Sequence, residues 1–377
     1  MIETTALISP ATGTEAASSP RIMVALSGGV DSAVTLLLLA RQGYEVSALF
    51  MKNWEEDDRE GYCAAAEDLA DAEKICARLG VELHTVNFSH EYWERVFTRF
   101  LDDYRGGRTP NPDVLCNREV KFQCFVERAL DLGAEQVATG HYARIVRDSK
   151  RYRLLAGADA DKDQSYFLHM LGQAQLARAL FPVGNLHKRE VRRLAREAGL
   201  ATHDKKDSTG ICFIGERPFR EFLARYFAPE PGDIVSVDGR PLGRHAGLVF
   251  HTVGQRQGLG IGGARGGSGE PWYVCAKDLE RNVLVVAQGR EHPALYARAL
   301  GATDVHWIAG EAPALPLRCA ARIRHRQPLE PCEVRAEEDG VEVRFDTPQW
   351  AVAPGQSVVF YAADECLGGA VIARAHA

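Results

Sequence analysis

The chain has 377 residues, 46% of them hydrophobic and 25% charged, the composition of an ordinary globular protein with room for two or three domains. No apolar run approaches the length of a membrane span, and residues 1–20, rich in Ala, Ser and Thr with Glu3 and Glu15 but no Lys or Arg, fit neither a secretory signal nor a transit peptide, so they read as the disordered leader of a cytoplasmic protein. The net charge of −6 argues against a broad nucleic-acid-binding surface, and nine dispersed cysteines without a CxxC pair point to reduced thiols rather than a disulfide framework or structural zinc.

In chain order, the apolar run 22–26 predicts a buried parallel strand, 27–32 a Ser/Gly turn, and 33–40 a helix ended by Gly43. A strand over 45–50, a helix over 64–79 closed by Gly80 and a strand over 81–86 follow. Helices near 91–104 and 118–132, separated by a loop, lead to a strand over 136–139. This alternation predicts an α/β domain built on a doubly wound parallel sheet, whose ligands bind beyond the carboxyl ends of the strands. Residues 187–196 predict a helix with Val191, Leu194, Ala195 and Ala198 inward and Arg189, Arg192, Arg193 and Arg196 left for solvent or phosphate. A Gly- and Lys-rich loop over 204–215 leaves the first domain. From Pro229 the texture changes to short strands, and from Gly301 it is all-β. The expected boundaries are a leader 1–20, a catalytic domain 21–216, a β-rich central domain 217–293 and a C-terminal β-barrel 294–377.

The most informative segment is Ser27-Gly28-Gly29-Val30-Asp31-Ser32. Between a strand and a helix it places unpaired N–H groups at a helix N-terminus, with two glycines that let a phosphate approach the backbone. Ser27 and Ser32 add hydroxyl donors, and Asp31 can hold a Mg²⁺ that bridges phosphates. No Lys-Ser/Thr pair follows the glycines, so this is not a Walker loop. It resembles the pyrophosphate-binding loop of the ATP pyrophosphatases.

Two cysteine loops stand out. The first, 107–117, contains Pro110 and Pro112, which predict a stiff non-helical loop, with Cys116 just before a helix whose N-terminus would stabilise a thiolate. Asp113 can exchange a proton with the thiol or a substrate. The second, 205–215, carries Cys212 after Lys205 and Lys206, which would lower its pKa if close. Cys63, Cys76 and Cys124 read as small buried hydrophobes on helices, and Cys275, Cys319, Cys332 and Cys366 as structural. Lys162, Asp163 and Gln164 form a polar turn open to phosphate or base edges. Arg322, Arg324 and Arg326 alternate in an expected strand and would share one face, whereas the acidic run 55–58 reads as a solvated loop.

The motifs ALSGGVDS, LFMKNWEEDD, GRTPNPDVLCN, ATGHY, KDQSYFL, KKDSTGICFIGER, HTVGQRQGLGIGG and EPWYV together resemble the bacterial tRNA-specific 2-thiouridylase family from about Arg21 to the C-terminus. The resemblance implies ATP-dependent 2-thiolation of the wobble uridine, with ATP bound by Ala25, Leu26, Ser27, Gly28, Gly29, Val30, Asp31, Ser32, Met51 and Gly140. It implies that Asn111, Pro112 and Asp113 contact the target base, with Asp113 as general acid/base and Cys116 as nucleophile. Cys212 would carry sulfur as a persulfide, with a transient Cys116–Cys212 disulfide. Lys162, Asp163, Gln164, Arg324 and His325 would contact tRNA, the family often having an aromatic where His325 stands. The implied partners are the tRNAs for Lys, Glu and Gln and a cysteine desulfurase or sulfur-relay protein. Three alternatives stay open: adenylation of a different acceptor, tRNA binding without catalysis, and an iron–sulfur cluster held by Cys116, Cys212 and Asp113.

Overall fold

The computed structural model describes residues 19–58, 65–207, 218–261 and 269–376. Residues 1–18, Cys63 and Cys212 lie outside them. The chain packs as two bodies. One draws on Met1–Glu91, Val120–Ser165 and Gln173–Ser208, the other on Tyr92–Glu119, Tyr166–Gly172 and Thr209–Ala377.

In the first body the apolar runs become β1 (Arg21–Ala25), β2 (Glu45–Lys52), β3 (Leu83–Asn87) and β4 (Gln136–Ala138). After an antiparallel hairpin of β5 (Ala143–Arg147) and β6 (Tyr152–Ala156) comes β7 (Ala179–Leu180). The sheet runs β3-β2-β1-β4-β7 with every pairing parallel, the doubly wound sheet expected from the alternation. Its order reverses between β1 and β4, and such a switch point opens a crevice at the carboxyl ends of the two strands. Two helices flank the early strands: α1 (Val30–Arg41), with Leu36 and Leu39 buried, and α2 (Ala66–Leu79), closed by Gly80 in the left-handed region. The core joins Val24, Leu36, Phe50, Ile75, Val183 and Val191, and truncating such a side chain costs about 2–5 kcal/mol.

The helix expected to begin near 118 begins instead at Pro112. Asn111 is extended (φ −114°, ψ 92°), and Pro112 takes the first helical position, where its missing N–H costs nothing. The helical run then passes from Pro112–Leu115 through a π-helical stretch, Cys116–Cys124, to Phe125–Asp131. Pro112 therefore starts the helix rather than preventing it. The π-helical geometry, in which each N–H reaches one residue further back, is rare and tends to mark functional segments.

The second body holds two β units. β8 (Gly232–Ser236), β9 (Pro241–His245), β10 (Trp272–Asp278) and β11 (Val283–Gln288) form a sheet in the order β10-β11-β8-β9 around Ile234, Val274, Leu284 and Val286. Then β12 (Tyr296–Trp307), β13 (Leu317–Arg322), β14 (Glu330–Glu337), β15 (Gly340–Trp350), β16 (Ser357–Ala362) and β17 (Glu365–His376) follow. They pair antiparallel in the order β12-β15-β14-β13-β16-β17, and β17 pairs back onto β12. This closes a barrel around Leu300, Val334, Val343, Phe360 and Ile372 and removes the exposed edges. Cys319 and Cys332 face each other across β13 and β14 as free thiols, sulfurs 3.7 Å apart. No helix among the described residues is long and apolar enough to cross a membrane.

Candidate nucleotide and base-binding sites

The Ser27–Ser32 turn sits at the β1 end of the switch point. α1 starts earlier than its apolar pattern suggested, so Asp31 and Ser32 lie in its first turn. Gly29 is the N-cap, extended at φ −94° and ψ 165°, and offers no side chain to the first-turn N–H groups. They are left for an anion, and the helix dipole favours one there. Ser32 Oγ accepts from the Ser27 N–H at 3.2 Å, lies 3.2 Å from Ser27 Oγ and donates to Gly29 O, which sets the curl of the loop. Gly28 has φ +72°, and a Cβ there would come 2.3 Å from Asp68 O. Gly140, beyond β4, lies against the loop: a Cβ on it would stand 2.8 Å from both Asp31 C and Ser32 N. Met51 is the penultimate residue of β2 and is buried. Beside it Asn53 Oδ1 is a buried acceptor without a hydrogen-bond partner.

The ATGHY motif acquires a local meaning here. Thr139 Oγ1 and His141 Nδ1 are 2.7 Å apart, and burial keeps His141 neutral by lowering its pKa. Tyr142 donates its hydroxyl to Asp31 Oδ1 at 2.7 Å. Burial first, then the Asp31 charge, holds that phenol protonated.

A residue the sequence reading passed over completes this constellation. Lys188, at the start of the basic helix Lys188–Glu197, points inward. Its Nζ donates to both Asp31 oxygens at 2.8 and 2.7 Å and pairs with Asp207 at 2.8 Å. Asp207 also receives Lys162 Nζ and Arg192, each at 2.7 Å. Burial pushes its carboxyl up, but the hydrogen bonds and charges of Lys162 and Lys188 prevail and hold it at about 2. Lys205, expected to act on Cys212, donates to Gly28 O at 3.2 Å and pairs with Asp68 and Asp71 at 2.8 and 2.6 Å. Its ammonium therefore braces the turn. The only sequence signal for Lys188 was its place at the N-terminal edge of an arginine-rich helix.

That helix is less available to phosphate than its sequence suggested. Arg192 is tied to Asp207 and His203 O, Arg193 to Glu197 and Arg196 to Asp204, which leaves Arg189 exposed. The Lys162–Gln164 turn is also engaged. Asp163 is buried and accepts from the Gly157 N–H, the Ser165 N–H and the Ser165 hydroxyl, while Gln164 accepts from Tyr142 N. The acidic run is a loop with Glu55 and Glu56 exposed, as expected, and it is also tied down: Glu55 pairs with Lys52 and accepts from Asn87 and Ser89, Asp57 accepts from Trp54, and Asp58 pairs with Lys52.

In the second body, Cys116 is 0% exposed and continues the helical run, its N–H bonded to Asp113 O and Pro112 O. The expected stiff non-helical loop is therefore corrected: the nucleophile candidate is a buried thiol on a helix, because Pro112 nucleates the turn beneath it. Pro112 is buried too, whereas Asn111 and Asp113 are partly exposed. Asn117 donates to Phe167 O at 3.1 Å, and its Oδ1 is buried without a partner. Tyr166, fully buried, donates to Ser357 O at 2.9 Å and hydrogen-bonds with the Asn111 side chain.

The shared arginine face is not formed. β13 stops at Arg322, which lies 4.8 Å over the Tyr361 ring and donates to His325 O. Arg324 donates to Val253 O at 3.0 Å and Ala351 O at 2.9 Å and lies over Trp350, so it tethers two β units. Arg326 is exposed. His325 packs on Phe167 at 4.4 Å and faces Tyr166 at 6.0 Å.

A doubly wound domain with a glycine-lined anion turn at its switch point, followed by two β units, defines a nucleotide-binding enzyme architecture. The chain matches the tRNA methyl transferase HUP domain over residues 20–216, the tRNA methyl transferase PRC-barrel domain over 220–288 and the aminomethyltransferase beta-barrel domain over 297–372. It is 61% identical over 356 residues to the tRNA-specific 2-thiouridylase MnmA of Methylococcus capsulatus, covering 94% of this chain and 96% of that one. It is 59% identical to the tRNA-specific 2-thiouridylase MnmA of Sodalis glossinidius, covering 93% and 96%. The chain belongs to the tRNA-specific 2-thiouridylase family. A solved 4-thiouridine synthetase–RNA complex with bound ATP is similar over 53% of this chain and 46% of that one, at 19% identity and a TM-score of 0.36.

Proposed function

We propose that this tRNA-uridine 2-sulfurtransferase uses ATP to replace the 2-oxygen of the wobble uridine in tRNA with sulfur. The observation that carries the reading is the Ser27–Ser32 turn, uncapped at Gly29 and pressed against Gly140, which leaves backbone N–H groups free for a pyrophosphate. ATP is held by residues 25–32, Met51 and Gly140, and Asn53 offers an unspent acceptor at the same strand end. Asp31 would be the protein ligand of a Mg²⁺ brought in with the phosphates, since such sites need only one or two carboxylates. When bound, Mg²⁺ neutralises charge on the departing pyrophosphate. Lys188, already on Asp31, supplies a second cation at the same place.

Uracil O2 attacks the α-phosphate, pyrophosphate leaves, and O2 becomes part of an adenylate leaving group. Asn111, Pro112 and Asp113 hold the base, and Asp113 moves the proton at the uracil ring. The Cys116 thiolate then attacks the inner sulfur of a Cys212 persulfide. This forms the Cys116–Cys212 disulfide and breaks the persulfide S–S bond, so the Cys116 sulfur is oxidised as the outer sulfur is reduced and leaves as hydrosulfide. Hydrosulfide adds at C2 and AMP departs with the former oxygen. Direct attack by the persulfide, resolved by Cys116, ends in the same disulfide. Lys162, Gln164, Arg324 and His325 contact the tRNA, and Asp163 shapes the turn that presents its neighbours. The tRNAs are those for Lys, Glu and Gln, and sulfur comes from a cysteine desulfurase or a relay protein.

Incubation with ATP, Mg²⁺, a persulfide source and unmodified tRNA, followed by digestion and mass spectrometry, tests the reading. 2-Thiouridine is expected from the wild type and not from Cys212→Ser, with tRNA-dependent pyrophosphate release retained in the variant. Pyrophosphate release without 2-thiouridine in the wild type would point to a different acceptor.

A further inference from the structure

The segment from Gly107 to Pro112, which leads into the proposed base contacts, cannot hold its own shape. Pro110 and Pro112 remove two backbone donors, and Gly107 sits at φ +70°. Its carbonyls need partners from elsewhere, and two side chains of the β units provide them. Lys277, on β10, donates from Nζ to Gly107 O at 3.0 Å. Gln356, just before β16, donates from Nε2 to Thr109 O at 2.8 Å, with Pro110 O at 3.4 Å.

The surrounding packing says the fit is specific. A Cβ on Gly107 would stand 2.6 Å from Leu279 Cδ2, and one on Gly355 would stand 2.8 Å from Thr109 N. Thr109 N donates to Pro354 O at 2.8 Å, and Thr109 Oγ1 lies 3.3 Å from Thr252 Oγ1. Among the described residues the one hydrogen-bonded acceptor of the half-buried Lys277 ammonium is a neutral carbonyl, a partner that repays little of the cost of removing a charge from water, so the contact is kept for position.

We propose that Lys277 and Gln356 are positioning residues for the thiolation reaction, holding the 107–113 loop so that Asn111 and Asp113 meet the target base. This rests on the uridine-thiolation reading above. Through them the two β units take part in the chemical step as well as in tRNA binding. The Lys277 proton matters to this hold, because a charged donor bonds a carbonyl more strongly than a neutral amine. Burial lowers its pKa from the ordinary 10.5 to about 8. His251, which feels the Lys277 charge, is itself pushed to about 4 by burial, then by His245 and Lys277, and stays neutral through this range. On the loop side Arg108 is paired with Asp103 and Arg105 with Asp102. As pH rises through about 8, Lys277 therefore loses its charge.

The experiment compares the full-length wild type with Lys277→Met, Lys277→Arg and Gln356→Leu. Thiolation at saturating tRNA is expected to slow by about tenfold or more in Lys277→Met and Gln356→Leu, since small misplacements of reacting groups are expensive. Their tRNA affinity is expected to stay within about twofold. Lys277→Arg, which keeps its charge, should restore most of the rate and carry the alkaline limb of the pH profile upward by about one unit or more. Alkylation of Cys116, read by peptide mass spectrometry without tRNA or ATP, should quicken by about tenfold in the two disruptive variants. An unchanged turnover number, a loss confined to tRNA affinity, or an alkaline limb shared by wild type and Lys277→Arg would overturn the proposal. If the wild type makes no 2-thiouridine, the reaction is wrong, and the Cys116 alkylation rates still decide whether the two side chains hold the loop.

Discussion

The cradle depends on side chains that are missing as much as on those present. Gly140 can lie against the Asp31–Ser32 peptide only because it lacks a Cβ. Gly140→Ala therefore presses two backbone segments apart at the switch point. The expected outcome is an ATP affinity weaker by about tenfold or more, read by nucleotide titration, with a stability loss of about 1–3 kcal/mol. The same substitution at Gly239, which has open space around it, is a control for general alanine effects, since its φ of +84° carries backbone strain without a clash.

At the scale of elements, the basic helix Lys188–Glu197 is a lesson in counting charges. Its sequence offers four arginines to an RNA backbone, but Arg192, Arg193 and Arg196 are paired within the first body. Arg189 alone of the four is exposed without such a pair. Each phosphate contact adds close to one to the salt slope of binding. If the helix meets tRNA at all, Arg189→Ala is expected to lower that slope by about one and Arg193→Ala to leave it nearly unchanged. Equal effects from both would mean that the Arg193–Glu197 pair opens on binding.

On the scale of the whole molecule, Arg324 ties the segment carrying Val253 to the barrel edge at Ala351 within the second body. Removing a guanidinium that satisfies two carbonyls costs about 1.5–3 kcal/mol. Arg324→Ala is expected to lower the Tm by several degrees in a thermal melt. A fall of about one in the tRNA salt slope would add a phosphate contact to the tether, whereas an unchanged slope would leave it a tether only.

The sequence by itself determined the parallel sheet, the anion turn after β1, the all-β second half and the residues of the two cysteine segments. Those features are local: apolar runs, glycines and prolines act on their own neighbours. Cys116 shows the limit. Its motif was plain, but its burial depends on Pro112 starting a helix and on packing around it. Lys188 shows it again, because a lysine at a helix start looks the same in sequence whether it faces water or Asp31. The arginines at 322, 324 and 326 alternate like strand residues, yet the strand ends where Arg322 finds Tyr361. Tertiary structure alone decided which charges are spent on one another and which carbonyls of the 107–113 loop are held by β elements far along the chain. Several of those choices turn on distances of about 3 Å between residues more than a hundred positions apart, as in Lys188–Asp31, Lys277–Gly107 and Gln356–Thr109, and no local pattern encodes them.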